Sequence, residues 1–233
     1  MFKSLKIKKE LKKFQEFKKN YKFDFKQLTK SDDGSLFIDG ECVREGENQH
    51  IAFENDFLVN AGYISGGSQL SKVLSNLFPY EFVFKGFKVQ SIEGIFQSLK
   101  FKDKKCQKQV LKYSGFNANR IRACSDYDWR ETQMIYFMGK AMKRDSKEYA
   151  DFIDEMYISL VVCNPLYKNA LKNVKDRYIL HSMGNDDKTQ TTLSRFEFEY
   201  ELNCLKDYIL IKKNKYFVWH NTANLRKLRG FYV

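Results

Sequence analysis

The stretch Leu74–Phe101 constrains the fold more than any other part of the chain. Ser91 predicts the start of a short helix, because its hydroxyl oxygen can accept a hydrogen bond from an amide left unpaired there. On that helix Glu93, Gln97 and Lys100 fall at positions i, i+4 and i+7, so a carboxylate, an amide and an ammonium share one stripe. Such a stripe is either the solvated side of an amphipathic helix or one wall of a binding site.

The order of residues in and after this stretch resembles the signature of the NADAR family, the YbiA-like proteins. Within the stretch the matching residues are Ser75–Pro79, Phe82, Gly86, Ser91, Glu93, Gln97 and Lys100–Phe101. The likeness continues downstream through Asp128–Trp129, Gly139, Arg144–Ser146, Tyr149, Asn169–Leu171, His181–Gly184 and Thr192–Phe198. Together these positions span residues 72–207, about three fifths of the chain.

The resemblance implies an α+β, predominantly helical fold: a YbiA-like single domain with small β-hairpins, here with an N-terminal helical extension. It also implies binding of an ADP-ribose-like or other nucleotide-derived ligand and, as in characterised relatives, cleavage of an N-glycosidic bond. The implied substrates include ADP-ribosylated guanine in nucleic acid and phosphorylated intermediates of riboflavin metabolism. No cofactor and no metal are expected.

Glu93 is the residue expected to carry the chemistry. Breaking an N-glycosidic bond develops positive charge on the sugar carbon and negative charge on the leaving base. The site therefore needs a carboxylate near that carbon and a hydrogen-bond donor near the base. Glu93 matches the acidic position of the family pattern, and its apolar neighbours on the helix can hold it rigidly.

Further side chains of the matching region are candidates for substrate binding. Amides suit ribose hydroxyls or base edges, aromatic rings suit stacking on a base, and an ammonium suits a phosphate. These roles fall to Asn76 and Gln97, to Phe78 and Trp129, and to Lys100. Each also has an ordinary structural alternative, namely a turn residue, a core aromatic or a solvated side chain.

The late part of the domain departs from the family pattern. Many NADAR proteins carry an Asp followed closely by Trp-Gly there, whereas residues 181–187 of this chain contain no tryptophan. His181, Ser182 and Asp186 are the candidates to replace the missing polar group. Gly94 also stands where a histidine is commoner. Both differences leave open a branch with an altered substrate or without catalysis.

The formal charge of +12 is unevenly distributed along the chain. Residues 1–30 carry about +8, residues 31–60 about −7 and the remainder about +11. We expect a basic N-terminal helix or arm at 1–30, an acidic strand-and-loop extension at 31–71, the NADAR-like domain at 72–210 and a tail at 211–233. A basic protein attracts phosphates on nucleotides, nucleic acids or lipids, and charge alone does not choose among them.

Residues 3–22 predict a helix with an apolar stripe and nine lysines elsewhere on its surface. It either packs on its own domain or forms an arm that binds nucleic acid, an anionic membrane or a partner protein. The stripe consists of Ile7, Leu11, Phe14, Phe17 and Tyr21.

Turn and capping signals predict most of the other elements. Asp39–Gly40 and Lys85–Gly86 predict two hairpins, because such pairs tolerate the positive φ of a two-residue turn. Helices are expected at 106–113, 128–143 and 146–162, from Asn164–Pro165 onward, and at 194–212 behind a capping box. Residues 61–68 predict a flexible passage, and residues 216–219 a strand or docked tail.

Cysteine and hydropathy patterns favour a cytoplasmic protein. Five scattered cysteines without a CxxC pair favour reduced thiols, and three distant histidines give no metal-ligand spacing. No run approaches the roughly 20 apolar residues of a membrane span. The basic N-terminus lacks the apolar region of a signal peptide.

Functions from different classes remain open at this point. The leading one is a hydrolase, an N-glycosidase acting on an ADP-ribosyl or related nucleotide substrate. The alternative is a non-catalytic ADP-ribose or NAD sensor, which keeps the pocket without the chemistry. A third is a nucleic-acid or membrane tether that works through residues 1–22.

Overall fold

The protein is an α+β structure in which helices predominate, as the sequence predicted. The computed structural model describes residues 2–33, 35–44, 57–62, 68–121 and 129–213. The helices are α1 (Phe2–Lys19), α2 (Gln69–Val73), α3 (Ile92–Ser98), α4 (Lys104–Val110), α5 (Gly115–Arg120), α6 (Trp129–Thr132), α7 (Lys147–Cys163), α8 (Pro165–Val174) and α9 (Arg195–Lys213). The strands are β1 (Leu28–Lys30), β2 (Leu36–Ile38), β3 (Glu41–Arg44), β4 (Leu58–Asn60), β5 (Phe82–Phe84), β6 (Phe87–Val89), β7 (Met134–Phe137), β8 (Lys140–Lys143) and β9 (Tyr178–Leu180).

Both predicted hairpins are confirmed, and each turns through two residues of positive φ. Asp39 and Gly40, with φ of 52° and 87°, join β2 to β3. Lys85 and Gly86, with φ of 47° and 86°, join β5 to β6. Backbone of this kind matches the twist of paired strands. β1 pairs antiparallel with the other edge of β2, which completes a three-stranded sheet.

The helix predicted at 128–143 is wrong. In the described part of this segment α6 is a single turn, and an antiparallel hairpin of β7 and β8 follows it. Met138 and Gly139, with φ of 48° and 86°, form the turn. Alternate residues of β7, Ile135 and Phe137, are buried, so the segment follows a period of two and not the helical period.

Strands β4 and β9 form a parallel pair that the sequence did not predict. Leu58 lies opposite Tyr178, and Ala61 donates its amide hydrogen to the Leu180 carbonyl at 2.8 Å. The pair brings the segment that precedes α2 beside the segment that follows α8. His181, directly after β9, therefore lies against the chain at Ala61.

Helix α7 is the centre of the hydrophobic core. Ser146 caps it as predicted, since its hydroxyl accepts a hydrogen bond from the Tyr149 amide at 3.1 Å. The Phe152 ring on α7 packs against Phe84 of β5 and Phe137 of β7, with ring centroids 5.0 and 5.2 Å away. Both hairpins are thus fixed to α7 by aromatic contacts. The next helix, α8, starts at the predicted proline.

The predicted capping box opens α9. Glu197 Oε2 accepts a hydrogen bond from the Ser194 amide at 2.8 Å, and Ser194 Oγ accepts one from the Glu197 amide at 3.3 Å. The buried Arg144 side chain donates to both oxygens of the same carboxylate. The start of α9 is therefore joined to the loop between β8 and α7.

Helix α1 packs on α7 and α9. Phe14 is fully buried against them. Lys18 Nζ lies 2.5 Å from a carboxylate oxygen of Asp154 on α7 and 2.5 Å from one of Glu201 on α9. Of the alternatives for this helix, packing on its own domain is the one that the structure displays. The remaining residues of the apolar stripe also contact the core: Ile7, Leu11, Phe17 and Tyr21.

The ion cluster of Lys18, Asp154 and Glu201 places one cation against two carboxylates in a largely buried position. The Glu201 side chain is 2% exposed, and its Oε1 has no hydrogen-bond partner among the described residues. Burial raises the pKa of Glu201 to about 7, and the neighbouring Asp154 charge adds to the effect of burial. Attraction to Lys18 opposes the increase only in part.

Several predictions fall on other parts of the chain. Most of the passage at 61–68, the tail at 216–219 and Asp128 lie outside the described residues. Within the described part, no helix is long and apolar enough to cross a membrane. The cysteines there, which are Cys42, Cys106, Cys163 and Cys204, are free thiols.

Candidate active site

Helix α3 carries its polar stripe into the protein interior. Ser91 caps the helix as predicted, with its hydroxyl accepting a hydrogen bond from the Gly94 amide at 2.9 Å. Glu93, Gln97 and Lys100 are only 9%, 4% and 8% exposed. The solvated-surface alternative for this stripe is therefore excluded, and three polar groups must be satisfied by one another or by other elements.

The three side chains of the stripe form a chain of hydrogen bonds. Lys100 Nζ donates to Gln97 Oε1 at 3.0 Å, and Gln97 Nε2 donates to Glu93 Oε1 at 2.6 Å. The ammonium can only donate, so it fixes which end of the Gln97 amide faces Glu93. The carboxylate consequently receives a donor and not a repelling carbonyl oxygen.

Asn119 on α5 completes one side of the Glu93 carboxylate. Its Nδ2 donates to Glu93 Oε1 at 2.9 Å, so that oxygen accepts two hydrogen bonds. Within the described part of the chain Glu93 Oε2 accepts none. Within the described residues, one oxygen is thus held by two amides and the other by none.

Asn76 is tied to the start of α3 and to α7. Its carbonyl accepts a hydrogen bond from the Glu93 amide at 2.9 Å, and its Oδ1 accepts one from the Tyr157 hydroxyl at 2.9 Å. Burial raises the pKa of Tyr157 well above its ordinary value, so the phenol remains a neutral donor. With Oδ1 engaged, the Asn76 amide directs its NH2 group away from Tyr157.

Gly94 allows the backbone after α4 to lie against α3. A Cβ atom at this position would lie 2.8 Å from the Tyr113 carbonyl oxygen and 3.3 Å from Ser91 Oγ. The histidine that is commoner in the NADAR pattern therefore has no room here unless the chain after α4 moves. This packing explains the departure at Gly94 without reference to catalysis.

The two aromatic candidates occupy different environments. Phe78 is half-buried at the edge of the core, with its ring centroid 4.7 Å from that of Tyr80. Trp129 is 1% exposed and belongs to the core, and its Nε1 has no hydrogen-bond partner among the described residues. Phe78 retains some accessible ring surface, whereas Trp129 has the core position given above as its structural alternative.

His181, Ser182 and Asp186 lie in a second cluster, where they bind protein groups. His181 Nδ1 lies 2.8 Å from the Ala61 carbonyl oxygen, and burial lowers the pKa of the imidazole. Ser182 Oγ accepts a hydrogen bond from Asn60 Nδ2 at 2.8 Å. These bonds join the ends of the parallel strands.

Asp186 forms an ion pair with α9. Its carboxylate accepts hydrogen bonds from Arg195 Nε at 2.6 Å and Arg195 Nη2 at 3.2 Å. Arg195 also contacts the buried Glu199, and the neighbouring carboxylates raise its pKa although burial opposes this. In this structure Asp186 stabilises the loop before α9.

Gly62 and Ser75 connect the His181 cluster to the loop that carries Asn76. A Cβ atom at Gly62 would lie 2.6 Å from the His181 ring, so this ring packs directly on the glycine. The Gly62 carbonyl accepts a hydrogen bond from Ser75 Oγ at 3.2 Å, and Ser75 precedes Asn76. The His181 cluster therefore supports the loop that carries Asn76.

Asn119 and Tyr157 are the site residues that sequence reasoning missed. Asn119 lies on a short helix with weak periodicity, and nothing in its spacing relates it to Glu93. Tyr157 lies inside the apolar run of α7, where a buried tyrosine gives the same pattern as a core aromatic. A hydroxyl or an amide that must be paired becomes visible only when its partners are known.

A separate groove lies away from the Glu93 side chain. It has a volume of about 680 Å³ and is lined by α1, α7 and the hairpins β5–β6 and β7–β8. None of Glu93, Gln97, Lys100 and Asn119 lines it. Its rim lysines are paired with carboxylates, whereas Glu93 Oε2 accepts no hydrogen bond from the described residues. The candidate site is therefore the one at α3. Among the described residues, no group of histidine, cysteine or acidic side chains is arranged to hold a metal ion.

Comparison with known proteins supports a family assignment. No curated protein matches the sequence. The chain is similar to the NMR structure of the E. coli protein YbiA, with 15% sequence identity, a TM-score of 0.47, and coverage of 74% of this chain and 96% of that one. The family model described as bacteriophage protein GP30.3 matches residues 68–207. Because that match covers more than half of the sequence, the chain belongs to the bacteriophage protein GP30.3 family.

Proposed function

We propose that this protein hydrolyses an N-glycosidic bond in an ADP-ribosyl or related nucleotide compound, of which ADP-ribosylated guanine in nucleic acid is one example. The carrying observation is the asymmetric Glu93 carboxylate. Its Oε1 is held by Gln97 and Asn119, and its Oε2 has no hydrogen-bond donor among the described residues. The NADAR-like motif, in which Glu93 takes the acidic position, supplies the substrate class.

Such a carboxylate suits the charge that develops when the bond to the base breaks. Glu93 Oε2 can accept a proton from an attacking water molecule while the carboxylate stabilises positive charge on the sugar carbon. The two amides on Oε1 keep the group in one orientation, which reduces the reorganisation needed during the reaction. The NH2 group of Asn76 is available to hydrogen-bond a ribose hydroxyl or a base edge.

A specific observation favours the alternative, a sensor that binds ADP-ribose or NAD without cleaving it. The polar residues of the late segment are used for structure, since Asp186 binds Arg195 and Ser182 binds Asn60. If the family reaction needs a second polar group from that segment, this chain provides none that is free of such contacts in its described residues. Glu93 argues against the alternative, because a carboxylate repels an anionic ligand.

The deciding experiment compares the wild type with Glu93→Gln. Product release is measured from an oligonucleotide carrying ADP-ribosylated guanine, from NAD and from ADP-ribose. We expect turnover of one substrate by the wild type and a loss of about 10²- to 10⁴-fold in Glu93→Gln, the usual range for a general acid–base group. Glu148→Gln, an acidic-to-amide change on the exposed surface of α7, should retain full turnover.

The same experiment separates the two functions. Turnover that survives in Glu93→Gln would refute the assigned role of the carboxylate. Absence of turnover in the wild type, with nucleotide binding retained by both proteins, would refute the hydrolase and leave the sensor.

A further inference from the structure

A small basic depression lies beside the N-terminus of α3. Its volume is about 330 Å³, and it opens between β6 and the end of α4. Three lysines line it, together with a phenylalanine, a glutamine and a leucine. The lining residues are Phe87, Lys88, Gln90, Lys108, Leu111 and Lys112.

Among the described residues, carboxylates compensate little of the positive charge of this depression. Lys105, Lys108 and Lys112 are exposed, the first two one turn apart on α4 and the third two residues beyond its end. In the described part of the chain none of these three forms a salt bridge with a carboxylate. Lys88 contacts Glu81 at 3.3 Å, but both side chains are more than half exposed, so that contact neutralises little of its charge.

The lysines around the larger groove differ in this respect. Each of them has an acidic partner on α7, which cancels most of the local field. The pairs are Lys85–Glu155, Lys140–Glu148 and Lys147–Asp151. The contrast indicates that the depression, and not the larger groove, is suited to an anionic ligand.

The geometry favours a row of phosphates over a single one. Lys105 and Lys108 lie on α4, and Lys112 follows two residues after its end, so the ammonium groups are spread along the chain. Phe87, which lines both the depression and the larger groove, is half-buried, with Lys108 Nζ 6.0 Å from its ring centroid. Cationic side chains that follow a backbone, combined with an aromatic ring on which a base can stack, are typical of surfaces that bind single-stranded nucleic acid.

Backbone contacts connect the depression to the start of α3. The Gln90 amide donates to the Leu111 carbonyl at 3.1 Å, which fixes the end of β6 to the end of α4. The next residue, Ser91, caps α3 and also donates to the Tyr113 carbonyl at 3.3 Å. The lining residue Gln90 thus lies three positions before Glu93 in the sequence.

We propose that this depression binds the phosphate backbone of a single-stranded nucleic acid, and that Glu93 acts on a modified base still attached to that strand. The proposal rests on the proposed N-glycosidase function for its second half. Its first half, strand binding by Lys88, Lys108 and Lys112, is independent of catalysis.

The test measures the affinity for a fluorescein-labelled single-stranded oligonucleotide by fluorescence anisotropy. The variant Lys88→Gln/Lys108→Gln/Lys112→Gln should bind about 100-fold more weakly than the wild type at about 0.1 M salt, since three phosphate contacts are lost. The dependence of log affinity on log salt concentration should become shallower by about 2.

A matched control removes three lysines from another surface. Lys9, Lys12 and Lys13 are exposed on α1, and their replacement by glutamine changes the net charge by the same amount. This control should bind the oligonucleotide within about threefold of the wild type, because it removes long-range attraction but no contact. An equal loss of affinity in both triple variants would overturn the proposal, as would wild-type affinity in the variant of the depression.

Failure of docking and failure of catalysis are distinguishable. The Glu93→Gln protein should bind the oligonucleotide as the wild type does, and the triple variant of the depression should retain any turnover of free NAD or ADP-ribose. Strand binding that depends on the three lysines, without turnover of any substrate, would refute the N-glycosidase and retain the docking surface. Turnover of strand-linked and free substrates that the triple variant leaves unchanged would refute the docking surface and retain the enzyme.

Discussion

Replacing Glu201 by glutamine should alter how the stability of this protein depends on pH. Glu201 shares the ammonium of Lys18 with Asp154 in the buried ion cluster that joins α1, α7 and α9. Glutamine has nearly the same size and keeps an oxygen that can accept a hydrogen bond from Lys18. The substitution therefore removes one buried negative charge and leaves the packing largely unchanged.

The magnitude follows from the two pKa values of the group. Burial raises the pKa of Glu201 from its ordinary 4.5 to about 7. Between these values the folded protein holds a proton that the unfolded chain has released, so stability falls as the pH rises from 4.5 to 7 and levels off above. The difference between the two pKa values corresponds to about 3 kcal/mol, and we expect Glu201→Gln to avoid about 1 to 3 kcal/mol of this loss.

The titration of His181 also affects how stability depends on pH, so the wild type and Glu201→Gln must be compared. Burial lowers the pKa of His181, so its contribution to stability is present at high pH and is lost as the pH falls through the ordinary range of histidine. This effect has the opposite sign to that of Glu201 and partly masks it in the wild type. It is the same in both proteins and cancels in their difference.

The assay is urea denaturation at pH 5, 6, 7 and 8 for the wild type, Glu201→Gln and Glu148→Gln. The free energy of unfolding of Glu201→Gln, relative to the wild type, should increase from pH 5 to pH 8. The difference for Glu148→Gln, which lies on the exposed surface, should stay constant. A relative stability of Glu201→Gln that is constant or falls with pH would refute the reasoning, because it would mean that Lys18 keeps Glu201 ionised in the folded protein.

Three further substitutions test the site and the packing around it. Asn119→Leu should lower kcat about tenfold or more with little change in KM, because Glu93 loses a hydrogen bond that orients it. Steady-state kinetics measures both constants, and an unchanged kcat would contradict this role. Gly94→Ala should destabilise the protein by about 1–3 kcal/mol, because the added methyl group contacts the Tyr113 carbonyl oxygen. Urea denaturation measures the change, and an unchanged stability would show that the backbone after α4 moves to accept the methyl group. Phe14→Ala should lower the free energy of unfolding by about 3–5 kcal/mol, because a fully buried aromatic side chain is removed. Thermal unfolding measures the change, and an almost unchanged stability would show that α1 merely lies on the surface.

Local signals in the sequence were sufficient for elements that are specified by neighbouring residues. The turns at Asp39–Gly40 and Lys85–Gly86, the serine caps of α3 and α7 and the capping box of α9 all form as predicted. Each depends on the backbone preferences or hydrogen bonds of residues within four positions of one another. Such features need no knowledge of the rest of the fold.

The wrong and missed predictions concern features that depend on contacts between distant parts of the chain. Residues 134–143 have apolar side chains that fit a helical period, but packing of Phe137 against Phe84 and Phe152 selects the hairpin. The polar stripe of α3 looks like a solvated face because Asn119, its partner on α5, has no relation to it in sequence. The parallel pairing of β4 with β9 likewise depends on residues that are far apart along the chain.

The docking of α1 also bears on the order in which the molecule can assemble. Lys18 pairs with residues 136 and 183 positions further along the chain, so its contacts have very high sequence separation. During synthesis on the ribosome α1 is made before α7 and α9, so its binding surface is complete only after α9 has emerged. Until then a lysine-rich helix with an uncovered phenylalanine stripe is exposed to other molecules, and a chain truncated before α9 would keep it in that state.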